Sequence, residues 1–109
     1  MTDISEINWH DSVIKRIIEI PTDNKLIFEV NYPIDWDAHK YEVYCIEFKD
    51  IYKYQIHEGP FAGQITILDF EIHEAADKYE ATTYKMDTNA GYRVIKCKNI
   101  DLKKGKFEG

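Results

Sequence analysis

Residues 41–57 read YEVYCIEFKDIYKYQIH, and the spacing of their apolar side chains decides the fold class. In an extended chain successive side chains point to opposite faces. Over 41–49 this puts Tyr41, Val43 and Cys45 on one face and Tyr44, Ile46 and Phe48 on the other. Apolar residues on both faces predict a central strand, covered on both sides. Residues 51–57, IYKYQIH, follow Asp50 with almost no room for a loop. They form either a strand entered by a tight bend or the same strand continued past a β-bulge.

The same period of two extends outward in both directions. Residues 25–32, KLIFEVNY, place Leu26, Phe28, Val30 and Tyr32 on one face and Lys25, Ile27, Glu29 and Asn31 on the other. Pro33 is expected to end this strand, because proline has no N–H for the ladder. Residues 13–20, VIKRIIEI, have helix-like spacing, but a run so rich in β-branched residues favours a strand. Pro21 and TDNK then read as the turn into 25–32. Downstream, 63–73 (GQITILDFEIH) changes phase near Ile67–Leu68, the mark of a bulge. Residues 79–86 and 92–102 read as strands. DTNAG at 87–91 is a turn in which Asn89 and Gly91 are suited to positive φ. A short helix is expected over 73–79, HEAADKY. The sum is an all-β single domain spanning 1–109, an antiparallel sandwich or small barrel of six to seven strands with at most one short helix.

Composition agrees and removes several function classes. The 109 residues are 44% hydrophobic and 14% aromatic, too rich in core-forming residues for a disordered chain. With 14 basic and 20 acidic side chains the net charge is -6, unsuited to neutralising nucleic-acid phosphates. No apolar run approaches the roughly 18 residues of a membrane span, and the start MTDISEINWHD is not a signal peptide. A cytoplasmic protein is expected. Cys45 and Cys97 lie in apolar β-branched runs and read as reduced, buried thiols.

The charge is uneven along the chain. Residues 1–50 hold eleven acidic against five basic side chains, and residues 51–109 hold nine of each. If the fold keeps the halves apart, one side is acidic and suits a basic partner; if it interleaves them, that polarity cancels. Within the acidic half, the segment NYPIDWDAHKY at 31–41 carries Trp36 between Asp35 and Asp37, with Glu42 just beyond. Large aromatics dominate interface energetics, and an acidic rim steers a basic partner. Asp35, Trp36, Asp37 and Glu42 are therefore the candidate partner-binding residues. The competing reading folds Trp36 back onto the core and leaves the acids solvated. An acid–base pair of aspartates is disfavoured, because residues two apart on one loop share an environment that does not split their pKa values.

Trp9-His10-Asp11-Ser12 holds the residue types of a hydrolytic triad, but adjacent residues do not converge as a triad must. Its expected role is structural. Trp9 plugs one end of the core, His10 and Asp11 bond local backbone, and Ser12 starts the next element. The histidines His10, His39, His57 and His73 show neither H-x-H nor H-x-x-x-H spacing, so no metal site is expected. No cofactor motif is present, and no catalytic residue is assigned. Lys96, Lys98, Lys103, Lys104 and Lys106 form a basic end.

The INWHDS start at 7–12, the strand-prone runs after it and the IEFKDI segment at 46–51 resemble small bacterial all-β proteins with a Trp-His-Asp-Ser start. Some of these are similar to immunity proteins of polymorphic toxin systems. The resemblance is loose over most of the length, and its one distinctive motif is four residues. It implies a non-catalytic cytoplasmic domain that binds a cognate, basic toxin domain. The alternative from the residues is a β-barrel that holds a small ligand, or an enzyme, with its eight tyrosines lining a cavity.

Overall fold

The computed structural model describes residues 9–35, 37–38 and 40–107. Six antiparallel strands follow in order: β1 (Val13–Ile20), β2 (Lys25–Asp35), β3 (Lys40–Glu58), β4 (Ile65–Glu74), β5 (Thr82–Thr88) and β6 (Gly91–Lys104). They close into one barrel with neighbours in the order β1-β2-β3-β6-β5-β4. Of the two architectures the sequence allowed, the barrel is the one adopted. The last strand thus lies beside β3, while β4 returns to β1.

β1 and β2 form the expected hairpin around a 3-10 turn at Pro21–Asp23, which Asn24 leaves in the left-handed region at φ 51°. β3 is a single strand of 19 residues, the second of the two readings of 41–57. It bends at Asp50, whose φ is 56°, and carries a bulge between Ile51 and Lys53. The phase change in β4 is likewise a bulge, between Ile67 and Asp69.

Three local expectations are corrected. β2 runs through Pro33 to Asp35. β1 leaves β2 at Asn31, so beyond that point Pro33 faces no second strand that needs its N–H. Residues 73–79 are not helical. β4 continues to Glu74, and the loop behind it is folded by the Asp77 carboxylate, which accepts from the Tyr79 and Ala81 amides at 2.8 and 3.2 Å. An Asx-type cap of this kind competes with helix. In the β5–β6 turn, Gly91 takes the positive φ (145°) but Asn89 does not. Asn89 reaches instead to the Thr66 amide and the Gln64 carbonyl.

The barrel interior is filled. Phe28, Phe48, Phe70, Tyr84, Met86, Ile46, Ile67 and Ile95 form one buried cluster, in which the Phe48 and Phe70 rings stack at 6.1 Å. Four tyrosines, Tyr32, Tyr44, Tyr54 and Tyr84, belong to or pack against it, whereas Tyr41, Tyr52, Tyr79 and Tyr92 are exposed. The tyrosine-lined cavity of the ligand-barrel alternative therefore has half its lining outside.

β2 and β3 are also covered on their outer faces, where Ile27, Glu29, Cys45 and Glu47 are buried. Residues 105–107 turn at Gly105 (φ 104°) and cross this face. There the Phe107 amide donates to Glu29 Oε2 at 3.0 Å, Arg16 Nη2 donates to the Phe107 carbonyl at 2.9 Å, and the Cys45 thiol donates to the Gly105 carbonyl at 3.2 Å. The two-faced apolar pattern of 41–49 has this overlying segment as its partner.

The β3–β6 ladder interleaves the two halves of the chain. Lys103 pairs with Glu47 at 2.7 Å, Lys104 with Glu42 at 3.2 Å and Lys49 with Asp101 at 2.7 Å. The acidic excess of the first half is thus met by lysines of the basic end. Of the two outcomes set by the charge distribution, the structure takes the cancelling one along this ladder. No helix among the described residues is long and apolar enough to cross a membrane.

Candidate functional site

The barrel does not end flush at the β2–β3 hairpin. β2 last pairs with β1 at Asn31, and β3 first pairs with β6 at Tyr44. Beyond those points the two strands have only each other, with Pro33 opposite Tyr41 and Asp35 opposite Lys40. The tip therefore projects past its neighbours. It carries two large apolar side chains in solvent, Ile34 at 49% and Tyr41 at 47% exposure. Isolated exposed apolar residues are ordinary, but two on one projecting tip beside acids have the composition of a contact surface.

Each candidate partner-binding residue has a definite place, with one exception. Asp35 shapes the turn, its Oδ1 accepting from the Asp37 and Ala38 amides at 3.1 and 3.2 Å. Asp37 is exposed at the tip. Glu42 stands nearer the barrel and is committed inside the molecule, to Lys104 and, at 3.3 Å, to the Tyr44 hydroxyl. Trp36 lies outside the described residues. Ile34 and Tyr41 were not singled out by the sequence. Tyr41 had been placed on a covered strand face, and only the staggered ends of β1 and β6 leave it bare.

The Trp9-His10-Asp11-Ser12 segment is a clasp. Trp9 is buried at one end of the core, its ring edge-on to Tyr32 at 5.7 Å. The Ser12 amide donates locally to the Trp9 carbonyl at 3.0 Å, but the other backbone that the motif bonds is 55 or more residues away, on β4. The Asp11 amide donates to the Ile67 carbonyl at 2.8 Å, the Ile67 amide to the Ser12 carbonyl at 2.7 Å, and His10 Nδ1 lies 2.9 Å from the Leu68 carbonyl. Asp11 needs φ 69° to do this, which aspartate tolerates better than most residues. These contacts extend a β1–β4 ladder that otherwise holds only Val13–Thr66 and Ile14–Ile65. The motif thus closes the barrel, where the sequence led us to expect His10 and Asp11 to bond local backbone.

Other polar clusters serve the fold. Inside the barrel, the Arg93 guanidinium grips Glu58 through two bonds of 3.0 and 2.8 Å and donates to the Tyr54 hydroxyl. Burial pushes the Tyr54 phenol up, away from ionisation. On the outer face, the bond from Arg16 holds the Glu29 carboxyl below its ordinary value, against the pull of burial. Lys96 lies 2.6 Å from Asp77 and, with the Tyr79 and Ala81 amides, lowers that carboxyl to about 2. Cys45 and Cys97 are free and buried, and burial raises both thiols, Cys97 to about 12. Such thiols are inert at neutral pH. The three carboxylates Asp69, Glu71 and Asp87 gather on the outer face of β4 and β5. A comparison with protein-family models finds no match for this chain, and a comparison with curated proteins finds none either.

Proposed function

We propose that this protein is a non-catalytic, cytoplasmic, immunity-like binding protein that occludes a basic partner protein, such as a toxin domain, with its β2–β3 hairpin tip. The observation that carries the reading is the half-exposure of Ile34 and Tyr41 on a tip whose strands have run past their outer neighbours. A projecting apolar pair enters a pocket, and the acidic Asp35 and Asp37 beside it favour a basic rim around that pocket. The filled barrel interior supports binding by surface rather than by cavity. The whole-molecule charge of -6 attracts a basic partner from a distance, and the tip supplies the local fit.

The test is affinity for the protein encoded by a neighbouring gene, measured by calorimetry for two double variants. Ile34→Ser with Tyr41→Ser, and Trp36→Ala with Asp37→Ala, should each weaken binding at least tenfold, the loss expected on truncating central contact residues. The Ile34→Ser, Tyr41→Ser variant should keep its melting temperature within a few degrees, because both side chains are half in solvent. Wild-type affinity in both variants overturns the assignment of this surface.

A further inference from the structure

A second surface has a different chemistry. On the outer face of the sheet, β3, β6 and β5 form a groove of about 440 Å³ walled by side chains of Lys53, His57, Lys85, Tyr92 and Lys96, with Val94 among them. Three ammonium groups thus reach one concavity from three adjacent strands. His57 stacks on Tyr92 at 4.6 Å with the planes 17° apart, and Lys85 Nζ lies 4.8 Å from the Tyr92 ring centroid. The second contact holds the Lys85 ammonium over the groove.

The arrangement conflicts with the rules of strand pairing. Lys53 stands directly opposite Lys96 in the β3–β6 ladder. Like charges facing each other across a strand pair destabilise it. Lys96 is neutralised by Asp77, and Lys85 has Asp87 at 3.7 Å. Lys53 forms no ion pair among the described residues. Violations of local preference concentrate at functional sites, where a ligand supplies the missing partner. Glu74 is the one carboxylate in the groove wall, and Asp77 and Asp87 hold Lys96 and Lys85 from its edge, so Lys53 is the ammonium left without a counter-charge.

We infer that this groove binds a small phosphorylated molecule, with phosphate oxygens between Lys53 and Lys96 and with Lys85 at their flank. Phosphate suits the site because it accepts several charge-assisted hydrogen bonds at once. The surroundings favour a small ligand over a polynucleotide. The carboxylates of Asp69, Glu71 and Asp87 lie within 4.8 Å of one another on the neighbouring outer face of β4 and β5. An extended polyanion leaving the groove on that side runs over them, and the whole molecule repels it with a net charge of -6. A ligand no larger than the groove stays among Lys53, Lys85 and Lys96, with Glu74 as its one carboxylate neighbour in the wall.

Pyrophosphate is the probe, titrated at low salt into the intact protein and followed by calorimetry and by the ring resonances of His57 and Tyr92. Wild type should bind saturably, with both rings shifting. Lys53→Gln and Lys85→Gln should each weaken binding about tenfold or more. Without ligand, Lys53→Gln should melt no lower than wild type, because it removes a repulsion and breaks no bond. The hairpin variants Ile34→Ser and Tyr41→Ser should bind pyrophosphate normally, which separates this site from the protein-binding one. Three results each overturn the inference: no saturable binding by wild type, binding that both lysine variants retain, or tighter lysine-dependent binding of a single-stranded oligonucleotide.

Discussion

Gly91 shows how much one residue decides. Its φ of 145° is closed to other residues, and a Cβ there would sit 2.2 Å from the His57 carbonyl oxygen and 2.9 Å from the Glu58 Cα. Two independent constraints, backbone conformation and close approach of β3, therefore demand glycine. Gly91→Ala should cost about 2 kcal/mol or more, as strained backbone positions do, with the loss read by urea denaturation. An unchanged midpoint would show that the β5–β6 turn relaxes freely. The need for glycine in DTNAG was legible in the sequence. The role of Asn89 was not, because its partners, Thr66 in β4 and Gln64 just before it, lie more than 20 residues earlier. A turn residue that braces a distant strand leaves no mark in its own neighbourhood.

At the scale of elements, each strand core was legible; the absence of a helix at 73–79 has a local cause, the Asp77 cap, and the other departures came from a neighbour. The pattern of 41–57 marked strand on both sides of Asp50 and an interruption there, open between a bend and a bulge, because alternation and its interruption are local properties. The overrun of β2 past Pro33 and the exposure of Tyr41 depend on where β1 and β6 stop. Those limits are tertiary facts with no signature in 25–41. The same holds for the segment 105–107, which the sequence alone reads as part of a fraying polar tail, KKGKFEG. In the structure it lies over Cys45 and supplies the Phe107 amide to the buried Glu29. Removing the residues after Lys104 should cost about 1–3 kcal/mol, since it strips a partner from a buried carboxylate. It should also make one thiol per molecule, Cys45, reactive toward a disulfide reagent in the native state. Cys97 faces the barrel interior and should stay protected. If no thiol reacts, the terminal segment is not what shields Cys45.

For the whole molecule, the weak point is the closure. β1 and β4 share two residue pairs in their ladder, against thirteen between β3 and β6. The clasp at Asp11 and Ser12 supplements that seam without making it long. Local opening follows the least-bonded boundary. Amide exchange should therefore be fastest, among strand residues bonded across the barrel, at the β1–β4 pairs Val13–Thr66 and Ile14–Ile65. It should be slowest at Phe28, Ile46 and Phe48. Uniform protection around the barrel would contradict a seam. The class of fold followed from periodicity, but the strand order could not, because the ladders that set it join segments tens of residues apart. The charge lopsidedness of the sequence is offset along the β3–β6 ladder for the same reason, as β6 lays its lysines against the acids of β3. The position of β6 also bears on how the chain is made. Synthesis is vectorial, and β1, β2 and β3 leave the ribosome first as a meander. β4 and β5 then emerge able to join the sheet only through the two-pair β1–β4 seam until β6, the last strand of the barrel, inserts between β5 and β3. Until that moment the free edge of β3 and the paired β4 and β5 are exposed to other nascent chains, so the interval before β6 clears the exit tunnel is the time at which this protein most needs a chaperone.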